Sequence, residues 1–144
     1  MTKMIFQKIL VPLDGSEHSE RALETSIQLA KKLDSKLALL TAYSMTGVSA
    51  PSPDMAVIAT EAAYNSCKKV LAKAEQKVRS EKIEVETEFA EGNAVKEIVK
   101  KAKEGKFDLI VMGARGLSTV KKILVGSVSE GVIKSAPCPV LIVK

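Results

Sequence analysis

Phe107-Asp108-Leu109-Ile110-Val111-Met112-Gly113-Ala114-Arg115-Gly116, followed after nine residues by Gly126-Ser127-Val128-Ser129, decides how this chain folds. The apolar run reads as a buried strand that stops at a turn signal. Glycines directly after a strand let backbone N–H groups approach a phosphate with no Cβ in the way. Gly126-Ser127 opens the next apolar segment as a helix N-cap does, and helix N-termini bind anions. The spacing predicts two phosphate contacts flanking an excursion that carries Arg115, Lys121 and Lys122. Neither the P-loop pattern nor the dinucleotide fingerprint occurs. The plainer alternative is a long glycine-containing loop closing an α/β unit. Three glycines together with two hydroxyls favour phosphate.

Outward from this stretch, strands and helices alternate. Ile5 to Val11 reads as the first strand. Ser16 to Leu33 reads as a helix with Ser16 as N-cap, Ser19 nearby, and Ala22, Leu23, Ile27 and Ala30 on one face. Lys36 to Tyr43 is the second strand. Ser44 to Pro53, rich in Ser, Pro and Gly, is a candidate mobile loop. A long helix follows from about Asp54 to Ser80, with Tyr64, Cys67, Leu71, Ala74 and Val78 at helical spacing. Ile83 to Phe89 alternates with Glu84, Glu86 and Glu88, the pattern of a half-exposed strand. Asn93 caps a helix with Val95, Ile98, Val99 and Ala102 on its apolar face. The fourth strand, the glycine excursion, a helix from Ser127 to Ser135 and a fifth strand from Pro139 to Val143 complete the pattern.

Strands joined by helices predict an α/β fold, a doubly wound five-stranded parallel sheet with helices on both faces. In such sheets ligands bind beyond the carboxyl ends of the strands, at the switch point. With strand order 3-2-1-4-5, that point lies between strand one, ending Pro12-Leu13-Asp14, and strand four, ending Met112-Gly113. The two most suggestive features thus converge on one crevice. Asp14 has two readings there. It can accept from a ribose hydroxyl or help hold a magnesium ion near phosphates. As a turn aspartate in Asp-Gly-Ser it can instead bond its own backbone.

The chain of 144 residues can bury one sizeable core but leaves little room for a second, so one domain over 1–144 is expected. No apolar run approaches the ~20 residues that span a bilayer. The first eight residues lack the apolar region of a signal peptide, and the expected compartment is the cytoplasm. Two cysteines, Cys67 and Cys138, make no disulfide framework, and no zinc pattern is present. The net charge of +5 invites a nucleic-acid reading. The lysines, however, are spread along polar helix faces beside glutamates, and aromatic residues at 3% are too few for base stacking. A basic bias also suits an anionic small ligand.

Gly113-x2-Gly116-x9-Gly126-Ser127 resembles the ATP-binding signature of the universal stress protein family. The likeness runs from Lys8-Ile9-Leu10-Val11-Pro12-Leu13-Asp14-Gly15-Ser16 to Ala136-Pro137-Cys138-Pro139-Val140-Leu141-Ile142-Val143. It implies Pro12, Asp14 and Ala42 at the adenosine part of an ATP site, with Met112 beside the base. It also implies Gly113, Gly116, Gly126, Ser127, Val128 and Ser129 along the phosphates. The implied cofactor is ATP with Mg2+ or Mn2+, Asp14 being the candidate metal ligand. The motif is intact here; family members without these glycines resemble a second class that does not bind ATP.

Catalytic groups are scarce. His18, the only histidine, reads as a solvated residue near a helix N-terminus. Neither Ser16 nor Ser129 has a histidine placed to make a triad. Glu17, Glu20 and Glu24 read as a polar face, and both cysteines as small core residues. ATP without an evident base to activate water implies a slow hydrolase at most. Three classes of function follow: an ATP-binding regulatory module, which is favoured, a nucleotide-hydrolysing or adenylyl-transferring enzyme, or another ligand on the same architecture. Hydrolysing relatives use a Ser-Gly-Gly-x-Asp-Ser loop after strand one, where Asp14-Gly15-Ser16-Glu17 stands here. A phospho-receiver's acidic cluster and a flavodoxin's Thr/Ser-rich loop are both missing.

Strand five, Val140-Leu141-Ile142-Val143, lies at a sheet edge and is wholly apolar. An open edge of that kind pairs with other chains, so a homodimer about a two-fold axis is expected. The resemblance implies the same. The alternative is that the long helix or the Ser44–Pro53 loop covers this edge.

Overall fold

Two strands show why the sheet is parallel. β1 (Lys8–Pro12) and β4 (Leu109–Gly113) bury successive residues rather than alternate ones. Ile9, Leu10, Val11, Ile110 and Val111 are fully buried, so both faces of these strands are covered. Each such side chain contributes roughly 1.5–3 kcal/mol of burial. A computed structural model describes residues 5–43, 52–116 and 125–144. Of the expected loop Ser44 to Pro53, residues 44–51 lie outside the described residues, as do the excursion lysines Lys121 and Lys122, whereas Ser52 and Pro53 cap and open a helix.

The element order is β1, α1 (Glu17–Leu33), β2 (Lys36–Tyr43), α2 (Pro53–Ser80), β3 (Val85–Glu91), α3 (Ala94–Glu104), β4, α4 (Ser127–Ser135) and β5 (Val140–Val143). The sheet is parallel throughout, in the order β3-β2-β1-β4-β5. Its faces hold separate cores. Ile9, Val11, Leu37, Leu39 and Val111 pack with α1 and α2 through Leu23, Ile27, Leu71 and Val78. Leu10, Leu40, Ile110 and Met112 pack with α3 and α4 through Ile98, Ala102 and Val132. The doubly wound sheet expected from the alternation is therefore present, with helices on both faces.

Element starts differ from expectation where backbone conformation overrides composition. Ile5 is not in β1 but 66% exposed, because Phe6 turns through a positive φ of 57°. Pairing with β2 begins only when the Gln7 carbonyl accepts from Lys36 N–H. β3 starts two residues late, after Lys82 at a φ of 58°, and runs on to Glu91. β4 starts after Asp108, whose carboxylate accepts from the Gln7 and Lys8 N–H groups at 3.0 and 3.1 Å and pins the strand to β1. β5 omits Pro139, which gives its carbonyl to Ile110 but has no N–H to give. α2 begins at Pro53, capped by Ser52, since proline suits the first helical turn.

Candidate functional site

The carboxyl ends of β1 and β4 lie side by side at the switch point, and a cavity of about 350 Å³ opens there. Pro12, Asp14, Ala42, Met112 and Gly113 line it from the strand ends. Gly116, Gly126, Ser127, Val128 and Ser129 line it from both ends of the excursion. All ten residues singled out in the sequence thus border one space. Leu13, Leu40, Ala94 and Ile98 complete an apolar wall. Ala94 enters because the Asn93 cap starts α3 directly beyond β3, a juxtaposition that residue patterns alone do not show.

Among the described residues, three of the four helices begin with a side chain bonded to their first turn. Ser16, Ser52 and Asn93 accept from the N–H groups of Ser19, Met55 and Lys96. α4 begins at Gly126, which has no side chain to offer, and its first turn faces the cavity. Glu130 N–H is the first of the helix to bond back, to the Gly126 carbonyl at 2.9 Å. The N–H groups of Ser127, Val128 and Ser129 precede it and have no intrahelical acceptor, which leaves a positive dipole end toward the cavity.

The Ala114 carbonyl is the clamp that brings the two halves of the motif together. It accepts from Gly126 N–H at 2.6 Å and from the Ser129 hydroxyl at 2.7 Å. Ala114 N–H in turn donates to the carbonyl of Val143, at the end of β5, at 2.8 Å. Ser129 is only 2% exposed, and its hydroxyl also lies 3.0 Å from the Gly126 carbonyl. Its side chain therefore ties Ala114 to Gly126, and its backbone N–H is left without an acceptor inside the helix. The sequence signal for this was present in the spacing of the motif but gave no hint of which serine atom was used.

The glycines have different physical reasons. A Cβ on Gly113 would lie 2.7 Å from the backbone carbon of His18, so this glycine lets the end of β4 touch the first turn of α1. A Cβ on Gly116 would lie 2.5 Å from Asp14 Oδ2. Gly116 thus allows the excursion to approach the carboxylate across the cavity. Asp14 makes the backbone bond of its turn reading. Oδ1 accepts from Ser16 N–H at 2.9 Å, as a turn aspartate does, while Oδ2 is directed toward Gly116.

His18 departs from expectation. It is partly buried and not simply solvated. Its Nδ1 accepts from Arg115 N–H at 3.3 Å, and a guanidinium nitrogen of Arg115 lies 3.3 Å from Nε2. Burial holds its pKa below the usual 6.5, with Arg115 and Arg21 adding to the effect and Glu17 and Asp14 opposing it. Cys67 and Cys138 are free, and burial pushes both thiols up, which keeps them protonated and unreactive. Among the described residues no group of three or more His, Cys, Asp and Glu side chains is placed to hold a metal. None of their helices is long and apolar enough to cross a membrane.

Residues 5–144 match the family model described as the universal stress protein family. The chain is 37% identical over 149 residues to universal stress protein YxiE of Bacillus subtilis, covering 97% of this chain and 100% of that one. Its fold is similar to that of universal stress protein UspA from Lactobacillus plantarum, with a TM-score of 0.88 at 26% identity over 99% and 100% of the two chains. Two further neighbours were solved with nucleotides. One universal stress protein is in complex with cAMP (TM-score 0.72, 30% identity, 96% and 97% covered). Another, from Archaeoglobus fulgidus, is in complex with dAMP (TM-score 0.69, 25% identity, 98% and 100% covered).

Proposed function

Because the chain belongs to the universal stress protein family, we propose that it is a single-domain, cytoplasmic ATP-binding regulatory module that works as a homodimer. The observation that carries this reading is the uncapped N-terminus of α4 facing a cavity with an apolar wall. Phosphate oxygens accept from the open N–H groups of Ser127, Val128 and Ser129, where the helix dipole favours negative charge. Met112, Ala42, Leu40 and Ile98 offer the apolar surface that an adenine ring needs, and Asp14 lies within the same cavity for a ribose hydroxyl. The cAMP and dAMP complexes of the neighbours support the adenine class.

Asp14 also fits a divalent cation. Mg2+ is commonly held by one or two carboxylates together with substrate phosphates, and Asp14 is the one carboxylate among the described residues lining the cavity. The bound cation would neutralise phosphate charge. Among the described residues no histidine or glutamate lines the cavity to activate water, so turnover falls far below the ~10 per second of a median enzyme.

Regulation runs through Ala114, whose carbonyl closes the excursion and whose N–H reaches the end of β5. Nucleotide at Gly116 and Gly126 thus acts through Ala114 on the edge that a second copy would meet.

Gly126→Val tests the site. Gly126 has a φ of −75°, and a Cβ there would meet Ala114 O at an ordinary 3.4 Å, so the backbone tolerates the change. Valine is a poor N-cap, at a cost of about 1 kcal/mol. The variant should fold and lose ATP binding in a calorimetric titration. Parent-like ATP affinity in a folded Gly126→Val protein would place the nucleotide elsewhere.

A further inference from the structure

A second cavity, of about 290 Å³, lies between α1 and α2 on the opposite face of the sheet from α3 and α4. Its floor is apolar: Leu13 and Leu23 are 5% exposed, Ala74 is also 5% exposed, and Val70 is half-buried. Its rim is cationic. Lys69, Lys73 and Lys77 follow one another at one-turn spacing along α2 and all line it. Lys77 pairs with Glu24 of α1, whereas Lys69 and Lys73 have no ion-pair partner among the described residues. Residues 1–4, 44–51 and 117–124 contain no Asp or Glu, so no carboxylate from those segments can neutralise them.

We propose that this cavity is a binding site for a small amphipathic carboxylate, its hydrocarbon body on the Leu13–Leu23–Ala74 floor and its head on Lys69 and Lys73. The volume is at the lower end of ligand pockets, about 300 Å³, which selects a small molecule. The charge selects a single negative head. Glu20 lines the same cavity and Glu24 occupies Lys77, so three ammonium groups against two carboxylates leave one net positive charge. A phosphate dianion would exceed that one net positive charge and meet stronger repulsion from Glu20 than a single carboxylate does. The lysine stems extend the apolar wall while their heads stay at the rim. This site is independent of the nucleotide reading, although Leu13 and Ser19 line both cavities.

The test uses the full chain with octanoate as probe, followed by calorimetry and by amide chemical shifts, with the nucleotide site saturated by Mg-ATP. Octanoate should shift amides around Leu13, Leu23 and Lys69 to Lys77 at submillimolar to millimolar concentration. The double variant Lys69→Glu, Lys73→Glu, at exposed positions away from the first cavity, should bind it at least about tenfold more weakly. ATP affinity should be unchanged in that variant. Absence of octanoate binding, binding indifferent to the lysine changes, or equal binding of inorganic phosphate would each overturn the assignment. Competition by ATP for the same octanoate would do so too, since it would place the probe in the first cavity.

Discussion

At the scale of single residues, the motif glycines divide by what their missing side chains avoid. Gly113 avoids the backbone of α1, which cannot swing aside, whereas Gly116 avoids a side-chain oxygen of Asp14. Gly113→Ala should therefore overpack the junction of β4 and α1 at a cost of about 1–3 kcal/mol. Thermal unfolding would read this as a midpoint lowered by several degrees; an unchanged midpoint would mean that the junction is looser than described. His18 gives a pH signature. Its folded pKa is below 6.5, so the unfolded chain takes up the proton first as pH falls. Stability held above pH 6.5 is then lost as pH drops through 6.5 toward the folded value. His18→Gln, which lacks that titration, should flatten the fall of the melting midpoint between neutral and mildly acidic pH. The sequence showed a lone histidine near a helix start and gave no sign of Arg115, because 97 residues separate the two. Contacts of that kind arise only once the sheet brings β4 against α1.

At the scale of elements, local chemistry was legible wherever a side chain caps or faces a helix. Ser16 and Asn93 cap α1 and α3 as their types suggest, and Leu71, Ala74 and Val78 are the buried stripe of α2. The same stripe misleads toward its start. Tyr64 is 38% exposed and meets the ring of Phe89 edge-on, and Cys67 is half-buried, since α2 packs into the core only in its later turns. Strand starts were less legible, because Phe6 and Lys82 leave the extended region for reasons that no apolar pattern records. The outward glutamates of β3 are legible as a polar face, yet Glu86 and Glu88 both serve Lys101 of α3 at 3.5 and 3.0 Å. These part-exposed pairs are each worth at most about 1 kcal/mol.

At the scale of the whole molecule, the alternation of strands and helices fixes a doubly wound sheet, and the switch point then brings Pro12, Asp14, Met112 and Gly113 to one cavity. β5 shows where whole-molecule reading needs the structure. Its apolarity is partly a matter of its own core, since Ile142 packs on one face of the sheet and Val143 on the other. Leu141 is 39% exposed, and Ile133 of α4 is 48% exposed. α2 packs on β2 and β3, at the other side of the sheet from this edge. The proposed dimer is therefore better probed by Leu141→Lys than by Ile142→Lys, which would also disturb the interior. The parent should sediment as a dimer at micromolar concentration and Leu141→Lys as a folded monomer. A soluble monomeric parent would rule the dimer out.

The central claim is that the cavity between β1 and β4 holds an adenine nucleotide. Its most direct test is mass spectrometry of what the purified protein releases on denaturation, joined to a Mg-ATP titration of the stripped protein. ATP in the released fraction, or saturable binding at one site per chain, is the predicted result. A nucleotide-free preparation that also fails to bind Mg-ATP would contradict it and leave Gly113 to Gly126 a loop that closes the fold.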